Sequence, residues 1–301
     1  MEAMYLRQAE LVVRCIPAIA AEPCFAIKGG TAINLFELDL PRLSVDIDLT
    51  FLPVTDRETA IKEINAAMLR IAERLKARGI AVRLRGTEVS RKIACFANDA
   101  EIKIEPNFIL RGATSPVRQL ELSPKMSAIV GLSAEMTVLS RPELYGGKFC
   151  AALDRQHPRD LFDVAQFFKN GGTVEVVKNG FIALALGHNR PLHEILAPNM
   201  LEQSATFASQ FAGMSDIPFS IDEHVAVFRR LVAEVNTALT QEDRERLVAF
   251  TALEADADVF GISGLEKLPA IQWKRKNLET LRKNDACKFT NNIEDLKRIL
   301  A

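Results

Sequence analysis

Between Phe25 and Phe51 the chain sets out its residue types in an order that few folds accommodate. A short apolar run, Phe25-Ala26-Ile27, leads into Gly29-Gly30-Thr31. Thr31 to Glu37 then reads as the opening turns of a helix, and Arg42 to Phe51 returns to strand-like alternation. Because side chains alternate across a strand, Val45, Ile47 and Leu49 share one face while Ser44, Asp46, Asp48 and Thr50 share the other. Paired glycines let the backbone come close to a bound group, and the helix start behind them offers N–H groups and a positive dipole end. With the Thr31 hydroxyl as a further donor, the turn is a candidate anion seat. Glycine pairs alone mark ordinary turns, so the weight rests on the acids that follow.

Asp46 and Asp48, two residues apart on one face, have Cα atoms roughly 6 to 7 Å apart. Carboxylates drawn to about 4 Å would repel by roughly 4 kcal/mol at an effective dielectric near 20, so the pair needs a cation or a proton. Mg²⁺ or Mn²⁺ suits it, since these ions take oxygen ligands and share coordination between carboxylates and substrate phosphates. A third acid on a neighbouring strand would complete a two-metal site, and Glu105 is the candidate. It lies on the charged face of Glu101-Ile102-Lys103-Ile104-Glu105, directly before Pro106-Asn107-Phe108. The plain alternative for all three acids is a solvated strand face. Arg42 and Ser44 flank the acidic strand, placed either to orient phosphate and carboxylates or to serve structure alone.

The 301 residues, 48% hydrophobic and 26% charged, suffice for one large domain or two ordinary ones, and exclude a disordered or fibrous chain. Two are expected: residues 1–170, and a helical domain over 171–301 after the break Asn170-Gly171-Gly172-Thr173. No apolar run is long enough to span a membrane and the first residues lack a secretion-signal layout, so the expected location is the cytoplasm, with no membrane partner. Cys15, Cys24, Cys95, Cys150 and Cys287 are scattered, which suits reduced thiols better than zinc or disulfides. The net charge of −1 conceals two basic stretches. Thr55 to Lys92 holds ten Lys or Arg against five Asp or Glu, and Trp273 to Ala301 holds eight against four.

Helical spacing marks Met4 to Ala21, Asp56 to Arg78, Arg141 to Leu153, Pro158 to Lys169, Asp222 to Leu239 and Gln241 to Asp256. Ile61, Ile64, Met68, Ile71 and Leu75 form a core stripe on the second of these. Ser220 and Glu223 have capping-box spacing. Strands are expected near Ala81 to Arg85, Lys92 to Phe96 and Glu101 to Phe108. His157 is read as structural, because two-metal phosphoryl transfer needs no histidine.

These motifs resemble the AbiEii/AbiGii toxin family of nucleotidyltransferases, of the polymerase-β-like fold. The resemblance rests on Lys28-Gly29-Gly30-Thr31-Ala32-Ile33-Asn34-Leu35-Phe36, Leu40 to Leu49, Ile102 to Asn107 with Leu110-Arg111-Gly112, Glu143 to Lys148, and Arg155 with Pro158 to Asp163. It spans roughly residues 25 to 168, and Trp273 to Leu281 resembles the family's C-terminal helix.

The resemblance implies an α/β core with a mixed sheet flanked by helices, followed by helices at the C-terminal end. It implies an NTP held at Gly30 and Thr31, with Lys28 and Gly29 beside them in the nucleotide-binding motif, metal at Asp46 and Asp48, and Lys148 and Asp160 as further members of the active site. A lysine can neutralise triphosphate oxygens as a compact charge, and Gly146 and Gly147 would let its helix approach the nucleotide. Otherwise Lys148 is a helix-surface lysine, and Asp160 and Asp163 are capping acids that pair with Arg155 or Arg159. MenT-type relatives modify the 3′ end of tRNA, so the implied activity is transfer of NMP to tRNA or another RNA by the toxin of a toxin-antitoxin, phage-defence pair, with a cognate antitoxin as partner. The rival readings are the same centre acting on a protein or small-molecule hydroxyl, and a non-catalytic nucleotide binder that sequesters a partner.

Overall fold

A computed structural model describes all 301 residues. The chain forms two compact units: Met1–Ser140 with Phe211–Pro218, and Arg141–Gln210 with Phe219–Ala301. The expected boundary at residue 170 differs from this division, because the two helices that follow Ser140 pack with the helices after them.

The first unit is built on a seven-stranded mixed sheet. Its strands are β1 (Phe25–Lys28), β2 (Asp46–Phe51), β3 (Ala81–Arg85), β4 (Lys92–Ala97), β5 (Ala100–Asn107), β6 (Arg118–Glu121) and β7 (Glu135–Val138), in the order β3-β4-β5-β2-β1-β7-β6. β2 runs antiparallel to β1 and parallel to β5. The alternation read from sequence is the packing pattern: Ile47, Leu49, Ile102 and Ile104 are buried, with half-buried Asp48 between the first two and exposed Lys103 between the others. Phe25 faces Phe51 in register, their rings edge-to-face at 6.0 Å. Asn98 and Asp99, both with positive φ (47° and 60°), join β4 to β5 in the two-residue turn that suits the twist of a hairpin.

Helices α1 (Ala3–Ala20) and α3 (Arg57–Ala77) pack on the sheet and on each other, while α2 (Gly29–Ala32) runs into a π-helical turn over Ile33–Glu37. Asp56 starts α3 by accepting from the N–H groups of Glu58 and Thr59 at 2.9 and 3.0 Å. Ile64, Met68, Ile71 and Leu75 are buried as expected, whereas Ile61 stays half-exposed near the start of the helix. β2 begins at Asp46, not Arg42, because the Leu43 N–H donates to Met214 O (2.7 Å) and the ladder to β5 starts at Asp46. β6, β7 and α4 (Pro124–Val130) are additions to the elements expected from sequence; β6 and β7 are four residues long and, unlike β1, lack a continuous apolar run to mark them.

The second unit is helical: α5 (Arg141–Arg155), α6 (Pro158–Lys169), α7 (Lys178–Leu186), α8 (Leu192–Leu196), α9 (Ser204–Gln210), α10 (Ile221–Ala238), α11 (Gln241–Thr251), α12 (Pro269–Asn284) and α13 (Ala286–Leu300). α5 and α7 meet through glycines. A Cβ on Gly146 would stand 2.4 Å from the Gly180 carbonyl carbon, and one on Gly180 2.0 Å from Pro142 O. Gly146 therefore serves helix packing, a different task from the nucleotide approach expected of it. The Ser220–Glu223 capping box forms as expected.

Candidate active site

β1 ends at Lys28 and the chain turns at Gly29, whose φ of +69° is a conformation that side-chain-bearing residues adopt only at a cost. The turn is pressed against the acidic strand. A Cβ on Gly29 would lie 2.6 Å from Asp48 Oδ2, and one on Gly30 2.6 Å from Arg42 Nη2 and 3.1 Å from Ser44 Oγ. The two glycines are thus needed for the approach of Asp48 and Arg42.

Thr31 is buried, and its hydroxyl donates to the carbonyl of Asp46 while lying 2.9 Å from Ser44 Oγ. The expected anion donor is instead a clasp between the glycine turn and β2, since a hydroxyl has one proton to give. Asn34, which stands in the glycine motif with no role expected of it, donates to Gly30 O at 2.9 Å. Arg42 is buried and donates through Nη1 to Leu43 O at 2.9 Å. The loop before Asp46 is tied down by Phe211–Pro218, where Ser215 Oγ donates to Pro41 O at 2.8 Å.

Asp46 and Asp48 share one half-buried face of β2, as their spacing requires. Parallel pairing sets Asp48 opposite Glu105 and Asp46 opposite Lys103, about 5 Å apart along the ladder. Lys28 lies opposite Asp48 on the other side. Burial pushes its ammonium below the ordinary lysine range, and the charge of Asp48 opposes that shift. Glu105 accepts a 2.8 Å hydrogen bond from Lys92 Nζ, its cross-strand neighbour. No three Asp, Glu, His or Cys side chains are gathered closely enough to enclose one ion. The residues that could hold Mg²⁺ or Mn²⁺ are therefore the Asp46–Asp48 pair, whose carboxylates share one face of β2 beside the glycine turn, and Glu105 stands next to them engaged by Lys92.

Lys148 and Asp160 belong to the second unit. Lys148 is neither a surface residue nor an open cation: it is buried, with Nζ 2.9 Å from Asp160 Oδ1 and 2.8 Å from Asp163 Oδ2. Arg155 adds a fork to Asp160, with Nε to Oδ2 at 2.6 Å and Nη2 to Oδ1 at 3.1 Å. Burial drives the Asp160 carboxyl upward, but Lys148 and Arg155 outweigh it and hold the group well below the usual carboxylate range. His157 caps α6, its Nδ1 accepting from Arg159 N–H at 3.1 Å, in keeping with a structural role.

With this geometry in place, comparison with known proteins is informative. The profile of a family described as "Nucleotidyl transferase AbiEii toxin, Type IV TA system" matches residues 10–275. Among curated proteins nothing matches the sequence. Among solved structures, MenT4, a nucleotidyltransferase toxin from Mycobacterium tuberculosis H37Rv, is similar with a TM-score of 0.60 at 16% identity, over 98% of this chain and 95% of that one. At that identity the likeness shows the fold: the mixed sheet, its flanking helices and the C-terminal helices. No helix is long and apolar enough to cross a membrane.

Proposed function

This chain belongs to the AbiEii family of type IV toxin nucleotidyl transferases, and from that premise we propose that it transfers NMP from an NTP to the 3′ hydroxyl of an RNA, tRNA first, at the face of Asp46 and Asp48. The observation that carries this reading is the contact of the Gly29 turn with Asp48, since it brings an anion-tolerant backbone turn and a carboxylate pair to one place. The acceptor oxygen forms a bond to the α-phosphorus in line with the bond to the β-phosphate oxygen, which breaks to release pyrophosphate with inversion.

Gly29 and Gly30 let the backbone approach the phosphates, and Lys28 and Arg42 supply positive charge beside them. Asp46 and Asp48 would hold Mg²⁺ or Mn²⁺, which would supply positive charge against the phosphate oxygens. Thr31 and Ser44 keep β2 seated against the turn, and Glu105 accepts the hydrogen bond of the acceptor hydroxyl and takes its proton as the bond to phosphorus forms. Lys148 and Asp160 act with Asp163 and Arg155 as one charge network that joins α5 to α6. As a type IV toxin the chain has an antitoxin counterpart, whose gene we expect beside its own in the cytoplasm-resident pair.

The test is incubation with Mg²⁺, each α-labelled NTP and total RNA. Label on tRNA supports the proposal, label on protein or a small molecule moves the acceptor, and no label with any NTP leaves a nucleotide-binding sequestering protein in its place.

A further inference from the structure

The two basic stretches of the sequence fare differently in the structure. In the first, most cations are neutralised nearby: Lys62 by Glu58, Lys76 by Glu73, Arg70 and Arg74 by Glu22, Arg85 by Glu101, and Lys92 by Glu105. On α12 and the start of α13, Lys276, Arg282, Lys283 and Lys288 make no ion pair, although Arg275 beside them reaches Asp256 and Lys297 and Arg298 further on pair with Glu294 and Asp295.

α12 is anchored by Ala270, Ile271 and Leu278, all buried. Its opposite face holds the only tryptophan of the chain, Trp273, 49% exposed. Lys276, Asn277, Thr280, Lys283 and Asn284 follow it at the spacing of one helix face, all exposed. The Lys276 ammonium stands 5.9 Å from the indole centroid. Trp273 is left half in water beside Lys276 and Lys283, which make no ion pair although exposed Glu279 lies between them on the helix. It offers a flat π surface flanked by phosphate-seeking charge.

We infer, resting on RNA as the acceptor, that this face of α12 is a platform for single-stranded RNA, on which a base stacks on Trp273 while Lys276 and Lys283 take the adjoining phosphates. Unpaired lysines attract a phosphodiester chain without regard to sequence, and every base has a face that can stack on an aromatic ring. A duplex keeps its base faces inside its own stack, so the indole favours unpaired strands.

Because Trp273 is the sole tryptophan, intrinsic fluorescence reports directly on this face. Titrating the full chain with single-stranded oligoadenylate should give saturable quenching that weakens with salt, while heparin, a polyanion without bases, should leave the emission largely unchanged. In a binding assay with labelled oligoadenylate, W273A should bind about tenfold more weakly, W273F should retain most of the affinity, and K276E/K283E should flatten the salt dependence. Unchanged emission with oligoadenylate, or equal quenching by heparin, overturns the platform; if such a chain still labels RNA, the acceptor reading stands without it. Quenching in a chain that labels no RNA keeps the platform and removes the acceptor reading. Emission silent to oligoadenylate but altered by the cognate antitoxin makes the face a protein dock and overturns the inference.

Discussion

Asp48 and Gly29 are in contact, so close that a single added carbon on Gly29 would stand 2.6 Å from the Asp48 carboxylate oxygen. Gly29→Ala must therefore move Asp48 and also hold an alanine at a φ of +69°. We expect a loss of about 1–2 kcal/mol of stability from the left-handed backbone alone, with nucleotidyl transfer reduced to background. Gly30→Ala has no such backbone penalty and meets the Arg42 guanidinium, so it should cost less stability while lowering NTP affinity. Urea unfolding alongside NTP titration separates the two effects.

Asp48→Ala and Asp48→Asn should abolish both RNA labelling and growth arrest, with transfer down by about 10²–10³-fold or more. Folding should survive, because Asp48 is half-buried on a strand whose apolar face is intact. Chelation with EDTA should mimic the substitutions, and added Mg²⁺ or Mn²⁺ should restore the wild type only. Growth arrest that persists in Asp48→Ala would replace catalysis with sequestration.

Lys148 is the cation between two buried carboxylates. Lys148→Met leaves Asp163 without that partner and Asp160 with Arg155 alone, so the expected loss is about 3–5 kcal/mol, seen as a drop in thermal midpoint. K148M/D163N should recover part of the stability. If K148M unfolds like the wild type but fails to transfer NMP, Lys148 acts on substrate and not through this network.

Glu22, buried between α1 and α3, receives a fork from Arg70 (2.9 and 2.6 Å) and a further bond from Arg74. Burial pushes its carboxyl up, but the two guanidinium groups prevail and its folded value is depressed. A depressed carboxyl contributes stability above its unfolded pKa, and that contribution fades as pH falls through the folded value. The urea midpoint of the wild type should therefore fall more steeply below about pH 4 than that of Glu22→Gln. Parallel pH profiles would assign the acid loss to another carboxylate.

The strands and helices around the site were legible because each announces itself within a few residues. Period-two alternation placed Asp46 with Asp48 and separated Glu105 from Ile104, and helical spacing marked α1, α3, α5, α6, α10 and α11. Glycines at the turn were legible for the same reason. The partners of these groups were not, and neither was the division of the chain at Ser140, since no composition shift marks it and only packing draws α5 and α6 to the later helices.

By itself the sequence determined which side chains share a face, because strand and helix periods are local geometry, and it determined the family through motifs that carry that geometry. Tertiary structure alone decided that Thr31 clasps Asp46, that Lys92 engages Glu105, that Lys148 is buried between Asp160 and Asp163, and that residues 211–218 brace the loop before Asp46. Each of those depends on the register of strands or the docking of helices distant along the chain, and a hydrogen bond or ion pair forms only where that docking brings donor and acceptor within about 3 Å.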